Sequence, residues 1–479
     1  MRVAKQQAVN MPVSPRVVFS VADAGHLSLA EARLALVSWL LAKKGGGTFV
    51  VRLDDFAGGL QPATQLSLYR DLQWLGMAAD EGPGIGGDFA PYRQAERHEL
   101  YARFLEKLLA EQSAFRCFCV GDGARSPQPA PAQCSAGCST LPARRVEELS
   151  RQGVSSIVRL KGQAGEIVVD DLLRGPISLR GEAVGDVVLA MPSGAPTPEF
   201  RAAVDDALMF ASHVVRDEQA MPFTFRQVLI CRALDLEPPQ VAHLASVRAL
   251  PGFDPAAEHR RVTIERLRRE GYLASTVLAF VARLVGMEIA QLTVRSAAEL
   301  LPLFRLQELP THEAVLNLEV LREESRRQLR PLSDEELHEA LRPALARAGL
   351  GSDPRLPQLV ALYRDWAFSV GDLAQKLSVF GRESVPVMDR TAVQFLARES
   401  SQKVLWSFAR GLRSLRHLDA EVFSRLMTKV RQETGLMGHD LWVPVRLVLT
   451  GDRDGPPLPQ VVALMGRDKC QKLIERILG

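Results

Sequence analysis

Little in this sequence of 479 residues points to a special environment. Cysteine is scarce, with six residues, and a disulfide-stapled secreted scaffold is excluded at this length. No apolar run reaches the ~18–20 residues that a membrane-spanning helix needs. The first 15 residues are polar and lack the apolar core of a signal peptide, so we expect a cytoplasmic protein without membrane contact. A net charge of only +3 does not by itself demand a nucleic-acid partner.

The hydrophobic and charged fractions, 47% and 24%, are those of an ordinary globular protein. At ~100–200 residues a domain, the length predicts two to four domains. Residues 16–21 and 48–53 have strand character, and a helix is expected over about 29–44 between them. This βαβ unit predicts a parallel sheet. From about residue 263 onward helical periodicity prevails, which predicts an all-helical part beginning near residue 320.

The charge divides at the same place. Residues 321–479 contain 25 basic and 20 acidic side chains, whereas the rest of the chain contains 34 and 36. The excess of positive charge in the helical part fits a phosphate-contacting surface. Solvated helix faces are the alternative interpretation.

Four of the six cysteines fall within 22 residues and form two short-spaced pairs. They are Cys117, Cys119, Cys134 and Cys138. Four thiolates from two short loops suit a closed, tetrahedral structural zinc site. The Cys-x-Cys spacing of the first pair is tighter than the common Cys-x-x-Cys, and free buried cysteines remain the alternative. Cys231 and Cys470 lie in helical segments and are interpreted as core residues.

Short motifs occur along the whole chain in a fixed order. They are GHLSLAEAR (25–33), RLDD (52–55), YRQAER (92–97), RGPI (174–177), VDD (204–206), VRDE (215–218), AHL (242–244) and VPVRLVLTGDRDGPPLPQVVALMG (443–466). In order and spacing they resemble bacterial glutamyl-tRNA synthetase, a class I aminoacyl-tRNA synthetase. The resemblance implies an α/β Rossmann-type catalytic domain with a zinc-binding insertion, followed by an all-α anticodon-binding domain.

The family plan gives the expected domain bounds. An N-terminal extension would cover residues 1–15, and a catalytic-like domain residues 16–320. Within the latter, the zinc insertion would cover about 113–145 and a stem-contact region about 245–320. The anticodon-binding-like domain would cover 321–479.

The activity that the resemblance implies is ATP- and Mg²⁺-dependent activation of glutamate as an adenylate, then transfer to tRNA(Glu). The family's first signature, similar to His-Ile-Gly-His, falls on residues 28–31, which are Ser-Leu-Ala-Glu. Ser28-x-x-Glu31 is instead a capping-box pattern. It would use backbone amides that phosphate needs and would add a negative charge beside them. His26 is a candidate for a substitute role.

The second signature, similar to Lys-Leu-Ser-Lys-Arg, falls on residues 254–258, which are Asp-Pro-Ala-Ala-Glu. Ala257 stands where the lysine that steadies the transition state is expected. Two carboxylates therefore replace three cations in a loop meant to hold triphosphate. Arg260 and Arg261 follow closely and are candidates for substitutes.

The resemblance also implies a glutamate-binding pocket, and several of its positions differ from the family pattern in this sequence. Val18 takes the place of the family's substrate-binding arginine, with Arg16 two positions earlier. Asp54 takes the place of the glutamate that holds the substrate amine. Arg216 is retained and could pair with a substrate carboxylate. An internal salt bridge with the aspartates at 205–206 is the alternative for Arg216.

Two further family positions, a tyrosine and an asparagine, are Pro198 and Ala202 here. Because these losses affect ATP and the amino acid together, the sequence predicts a degenerate active site. No residue is assigned a catalytic role.

In the helical part, basic residues occur close to Trp406 and Phe408. The candidates for RNA contact are Lys403, Arg410, Arg413 and Arg416. Basic residues beside aromatic ones suit unstacked anticodon bases. A buried tryptophan with solvated arginines is the alternative.

The main hypothesis is therefore a translation-related pseudoenzyme, a tRNA-binding paralogue that has lost or weakened glutamate activation. One alternative is an active glutamate–tRNA ligase with substitute residues, which would use ATP and Mg²⁺. Another is a repurposed enzyme, or enzyme subunit, that acts on tRNA. We expect a monomer that binds a tRNA(Glu)-like tRNA and Zn²⁺, and the sequence leaves room for a protein partner.

Overall fold

The computed structural model describes residues 14–22, 25–56, 62–119, 134, 137–249, 262–289, 294–381 and 386–478. The chain divides into two compact units. The first unit comprises residues 1–266 and 277–317, and the second comprises residues 267–276 and 318–479.

The strands belong to three sheets of the first unit. In chain order they are β1 (Arg16–Val21), β2 (Thr48–Leu53), β3 (Ala114–Cys117), β4 (Ile157–Leu160), β5 (Glu166–Asp171), β6 (Gly175–Arg180), β7 (Val187–Ala190), β8 (His213–Asp217), β9 (Gln240–Leu244), β10 (Val247–Ala249) and β11 (Ala314–Leu316). The main sheet has the order β2-β1-β8-β9-β5-β6. Its pairs are parallel except β5 with the edge strand β6. The predicted parallel sheet is confirmed, with one antiparallel strand added at its edge.

The other two sheets are smaller. β3, β4 and β7 form an antiparallel sheet that carries the first cysteine pair at one end, and β10 pairs with β11 in parallel. The helices that belong to the first unit or continue it are α1 (Leu29–Lys44), α2 (Pro62–Trp74), α3 (His98–Ala110), α4 (Ala143–Arg151), α5 (Gly181–Val184), α6 (Pro198–Leu208), α7 (Met221–Leu234), α8 (Ile264–Arg269) and α9 (Ala274–Val285).

The strand–helix–strand unit at the start of the chain has the predicted bounds. β1 and β2 pair in register from Arg16 with Thr48 to Val21 with Leu53. Helix α1 lies between them and ends at Gly45, after two lysines that suit the negative end of the helix dipole. The carboxyl ends of the parallel strands therefore meet the amino end of α1 at one edge of the sheet, where ligands bind in open α/β sheets.

The second unit is all-helical among the described residues. Its helices are α10 (Leu318–Leu329), α11 (Asp334–Arg347), α12 (Leu356–Tyr363), α13 (Val370–Ser378), α14 (Arg390–Leu396), α15 (Glu399–Arg413), α16 (Ala420–Thr434), α17 (His439–Thr450), α18 (Leu458–Met465) and α19 (Arg467–Leu478). One continuous apolar core joins these helices. Gly411 permits α15 and α16 to approach closely, because a Cβ atom there would lie 2.3 Å from the Leu426 side chain. Among the helices in the described part of the chain, none combines the length and the apolar composition of a bilayer-spanning segment.

Candidate functional site

The amino end of α1 forms the predicted capping box. The Ser28 hydroxyl accepts a hydrogen bond from the Glu31 amide at 3.2 Å, and Glu31 Oε2 accepts from the Ser28 amide at 2.9 Å. The Ser28 hydroxyl also donates to the same carboxylate oxygen at 2.6 Å. Two of the amides that open the helix are thus satisfied by its own first turn, and a carboxylate lies beside them.

Neighbouring amides at this helix end also have protein acceptors. The Leu29 amide donates to the Val262 carbonyl at 3.2 Å, and the Leu27 amide donates to Asp71 Oδ2 at 3.2 Å. The chain at 262–264 runs alongside, with the Ile264 amide donating to the Leu27 carbonyl at 2.8 Å. An anion at this position would have to displace these internal bonds.

The remaining residues of the two signatures are placed as follows. His26 lies beside buried Asp71, with 3.6 Å between Nδ1 and Oδ2, and its side chain is 42% exposed. Residues 254–258, with Ala257, lie outside the described residues, as do Arg260 and Arg261. Residue 262, which follows them, is the one whose carbonyl holds the α1 amide.

A buried ionic network lies at the carboxyl end of β2. Arg52 is 2% exposed and donates to both oxygens of Asp54, at 2.7 and 3.3 Å, and to Asp206 at 2.5 Å. Burial alone would lower the pKa of Arg52, but Asp54, Asp206 and Asp205 outweigh it and hold that pKa well above its usual value. Both oxygens of the predicted substrate-binding residue Asp54, which follows β2, are therefore engaged by Arg52, two residues earlier in the chain.

Asp205 is the most deeply buried carboxylate of the network. It accepts hydrogen bonds from Gln94 at 2.8 Å and from the Tyr101 hydroxyl at 2.9 Å. Arg97 Nε lies 2.7 Å from its other oxygen. Burial raises the pKa of Asp205, and the charges of Arg52 and Arg97 oppose that rise. The arginine–aspartate contacts keep a charge inside the unit that would otherwise be strongly disfavoured.

Arg216, the second predicted substrate-binding residue, is held in the protein interior. It donates to the Thr224 hydroxyl at 2.8 Å and to Gln227 Oε1 at 2.5 Å. Its nearest carboxylate oxygen, on Asp206, is 3.6 Å away, and burial lowers the pKa of Arg216. Arg216 therefore makes the internal ion pair with Asp206 that the sequence offered as an alternative, although 3.6 Å is too long for a hydrogen bond.

A hydrogen-bonded chain behind Arg216 fixes its position. The Thr224 hydroxyl lies 2.9 Å from His243 Nε2, and His243 Nδ1 lies 2.6 Å from Asp171 Oδ2. His243 and Asp171 are both buried. This arrangement corresponds to no local sequence motif, because its members come from β5, β8, α7 and β9.

The altered position Val18 is 1% exposed and packs in a small apolar cluster. Arg16 is the first residue of β1 and therefore lies at the opposite end of the strand from the site. It donates to both oxygens of Glu81, at 2.6 and 2.5 Å, and its guanidinium stands 4.5 Å from the Phe89 ring. Arg16 is thus engaged with Glu81 and Phe89 in another part of the unit.

Arg201 and Phe56 take part in this site, although no sequence motif points to either of them. Arg201, on α6, donates from Nε to Gln94 Oε1 at 2.7 Å and from Nη1 to the Pro196 carbonyl. Its guanidinium stands 4.6 Å from the ring of Phe56, which follows β2. A single arginine inside an ordinary helix has no distinctive spacing, and only the fold brings it to Phe56.

The four clustered cysteines converge at one end of the β3–β4–β7 sheet. Their sulfur atoms all lie within 4.8 Å of one another, and Cys119 Sγ is 3.1 Å from the sulfur atoms of Cys117 and Cys134 and 3.5 Å from that of Cys138. Four thiolates around zinc, at about 2.3 Å each, would stand about 3.8 Å apart, so a small expansion of the cluster would seat the ion. This arrangement could hold a metal ion.

The predicted RNA-contact residues lie on the exposed face of α15 and just after it. Lys403, Arg410 and Arg413 each pair with a glutamate, at 2.8, 2.6 and 3.2 Å, and Arg416 is exposed. Trp406 lies on the same face and is 55% exposed. Phe408, considered with it, faces the core instead and packs edge-on against Phe423 at 5.8 Å. Of these two aromatic side chains, only the tryptophan is therefore available to a nucleic acid.

The sheet, parallel except at one edge, ends at a helix amino terminus and is followed by an all-helical unit, an architecture that class I tRNA synthetases share. The family model described as "tRNA synthetases class I (E and Q), catalytic domain" matches residues 16–323, and the model described as "Anticodon binding domain" matches residues 336–478. The chain belongs to the class I tRNA synthetase family of the E and Q type.

Individual relatives match nearly the whole chain. The glutamate–tRNA ligase of Geobacillus stearothermophilus is 30% identical over 490 residues, which cover 97% of this chain and 98% of that protein. The enzyme of the same name from Heliobacterium modesticaldum is 30% identical over 481 residues, 96% of each chain. A solved glutamate tRNA ligase from Elizabethkingia meningosepticum, in complex with its amino acid, shares the fold with a TM-score of 0.67, 24% identity and coverage of 97% and 99%.

Proposed function

We propose that this chain is a glutamyl-tRNA synthetase-like tRNA-binding protein that lacks, or is impaired in, ATP-dependent activation of glutamate. The observation that carries the proposal is the amino end of α1. The amides of Ser28 and Glu31 are bonded within the first turn, and the Leu29 amide is bonded to residue 262. A helix amino end binds phosphate when such amides are free to point at it.

Electrostatics at the same helix end support the proposal. The Glu31 carboxylate would face the triphosphate as a like charge. At ~4 Å and an effective dielectric constant near 20, each pair of unit like charges costs about 4 kcal/mol. That cost is large against the roughly 6–8 kcal/mol of binding free energy that corresponds to micromolar or tens-of-micromolar affinity.

The sequence of the second signature adds to this argument. Residues 254–258 contain Asp254 and Glu258 and no lysine or arginine. Activation needs cations that stabilise charge as it develops on the phosphates. With Ala257 at the lysine position, the chain supplies no such cation within this motif.

A retained role in tRNA binding is supported by the second unit. The anticodon-binding family model covers residues 336–478 of it, and the exposed face of α15 combines Lys403, Arg410 and Arg413 with Trp406. We assign these residues and Arg416 to RNA contact, and a tRNA(Glu)-like tRNA as the partner. RNA phosphates can replace the glutamates that pair with these basic side chains, because exposed ion pairs contribute little to stability.

We also assign the cysteine cluster to structural Zn²⁺. Four thiolates suit zinc, and a closed set of protein ligands leaves no open position for catalysis. In this role the metal would stabilise the small sheet and take no part in any reaction.

The tRNA-binding half of the proposal predicts a strong salt dependence. Total tRNA should be retained on filters with the protein, and the logarithm of the affinity should fall linearly with the logarithm of salt concentration. The double variant Arg410→Gln/Arg413→Gln should reduce the slope by about 0.7–0.9 for each arginine that no longer neutralises a phosphate, with roughly tenfold weaker binding at fixed salt.

Arg342→Gln is the matched control. Arg342 is an exposed arginine of α11 that pairs with Glu339 at 2.9 Å, as the arginines of α15 pair with glutamates. Its replacement removes one positive charge from the second unit, whereas the double variant removes two. This control should bind tRNA as the unchanged protein does. Binding that is independent of salt, or a control as weak as the double variant, would contradict the assignment of α15.

A further inference from the structure

The four cysteines of the proposed zinc site differ in their access to solvent. Cys119 is exposed and Cys134 is half-buried, whereas Cys117 and Cys138 are both buried. The two buried side chains belong to a small apolar cluster that includes residues of β3 and β4. A reagent in solution therefore reaches the sulfur atoms of one pair more readily than those of the other.

The exposed sulfur atom is also the one with the closest neighbours. Cys119 Sγ lies 3.1 Å from the sulfur atoms of both Cys117 and Cys134, and 3.5 Å from that of Cys138. Cys119 is therefore within reach of two nearest partners for a disulfide bond.

The positions of these two partners in the fold favour Cys134. Cys117 is the last residue of β3, where it pairs with β4, and only one residue separates it from Cys119. Its sulfur atom could move only by leaving the apolar cluster. Cys134 lies 15 positions beyond Cys119 and belongs to the second cysteine pair. A bond between Cys119 and Cys134 would join the two pairs, as the metal does, and would leave β3 paired.

The chemistry of zinc ligands adds to this asymmetry. Ligands to zinc are deprotonated, and the thiolate is the form of cysteine that reacts with oxidants. An accessible thiolate is oxidised to a sulfenic acid, which condenses with a neighbouring thiol to form a disulfide. The first step needs access, which Cys119 has, and the second needs a close partner, which Cys134 provides.

We propose that the cluster is a reversible thiol–disulfide switch, in which hydrogen peroxide converts Cys119 and Cys134 to a disulfide and Zn²⁺ is released. The Cys119 thiolate attacks one peroxide oxygen, the O–O bond breaks, and the departing hydroxide takes a proton from solvent to form water. The Cys134 thiolate then attacks the sulfur atom of the Cys119 sulfenic acid. The S–S bond replaces the S–O bond, and the second hydroxide also leaves as water. The two sulfur atoms thus supply both electrons that reduce the peroxide.

Oxidation of this pair leaves only two of the four ligands. Cys117 and Cys138 each take a proton from solvent and remain as thiols, and two ligands do not complete a four-coordinate zinc site. Both stay in the apolar cluster, and the new disulfide holds the two cysteine pairs together, so the β3–β4–β7 sheet should remain folded without metal. The inference rests on the proposed assignment of the cluster to Zn²⁺ and is independent of the proposed loss of glutamate activation.

Zinc release from the reduced, zinc-containing full-length protein tests the proposal. After addition of hydrogen peroxide, a chromophoric chelator measures the released metal, and mass spectrometry of alkylated peptides identifies the disulfide. About one zinc per chain should be released together with a Cys119–Cys134 cross-link, and dithiothreitol with added Zn²⁺ should restore the starting metal content. The β3–β4–β7 sheet of the oxidised protein should resist a protease that digests it once a chelator has removed the metal under reducing conditions.

Histidine is also a zinc ligand, so a histidine variant can keep four ligands while removing one sulfur atom. Cys119→His should slow the release of zinc by peroxide at least about tenfold, because the accessible thiolate is absent. Cys134→His serves in its place where Cys119→His does not retain zinc, and it should prevent the cross-link. Cys231→Ser, which changes a buried cysteine of α7 outside the cluster, should release zinc at the rate of the unchanged protein.

Three results would overturn the inference while the zinc assignment stands. They are zinc that stays bound while free cysteine in the same solution is oxidised, a main disulfide that includes Cys117, and an unchanged rate of release in Cys119→His. Purified protein that contains no zinc would contradict the zinc assignment and this inference together. Pyrophosphate exchange, which measures glutamate activation, bears on neither.

Discussion

Replacing Arg52 by methionine is expected to lower the free energy of unfolding of the first unit by about 3–5 kcal/mol, the cost of removing one partner from a buried ion pair. Methionine fills a similar volume but leaves Asp206 without the donor 2.5 Å away, and leaves both oxygens of Asp54 without theirs. The quantity can be measured by urea denaturation, with hydrogen exchange of the β2 amides to identify the unit that unfolds.

Two further variants separate this ionic effect from a general loss of packing. Arg103→Met removes an exposed arginine whose contact to Glu99 is 3.6 Å, and it should change stability by less than about 0.5 kcal/mol. Adding Asp206→Asn to Arg52→Met should recover part of the loss, because one uncompensated charge is then removed. A loss below about 1 kcal/mol for Arg52→Met would show that the network contributes little to the stability of the first unit.

Cys117→Ser is expected to abolish stoichiometric zinc binding and to unfold the β3–β4–β7 sheet. Apparent binding free energies of structural zinc in small domains are about 10–16 kcal/mol, and this energy is coupled to folding. Cys117 is the last residue of β3 and is buried with Cys138, so losing its sulfur removes both a ligand and a core contact. Metal analysis of the purified protein, with limited proteolysis of the insertion, gives the two readouts.

Cys470→Ser provides the comparison for that experiment. Cys470 is buried in α19 of the second unit, away from the cluster in the chain, and its loss should leave one zinc per chain in place. Unchanged protein that contains no zinc, or a Cys117→Ser variant that retains a full equivalent, would contradict the zinc assignment.

Features that depend on neighbours along the chain could be predicted from the sequence. The bounds of β1, α1 and β2 follow from local periodicity and from the glycines after α1, and the capping box from the spacing of Ser28 and Glu31. All of these are confirmed. The cysteine cluster could also be predicted from the sequence, because a single loop between the two short-spaced pairs is enough to bring all four sulfur atoms together.

Features that depend on long-range packing could not be predicted in this way. Arg52 and Asp206 are 154 residues apart and meet because β2 and α6 converge at one edge of the sheet. Arg201 has no motif around it, and only the fold places its guanidinium over Phe56. The pattern of basic and aromatic residues on α15 likewise could not separate Trp406, which is exposed, from Phe408, which is in the core.

Restoring residues of the two family signatures is not expected to be sufficient for glutamate activation. The triple variant Ser28→His/Glu31→Gly/Ala257→Lys removes the capping box and supplies two of the missing groups. The pocket would still have Val18 and Pro198 at two altered positions, so this variant is not expected to activate glutamate.

The proposed loss of glutamate activation can be tested directly by exchange of labelled pyrophosphate into ATP in the presence of L-glutamate, Mg²⁺ and total tRNA. An active glutamate–tRNA ligase assayed in parallel provides the positive control. We predict exchange at the background rate of a reaction without protein, under conditions in which the same preparation retains tRNA on filters. Glutamate-dependent exchange well above that background would contradict the proposed loss of activation and would favour a working ligase with substitute residues.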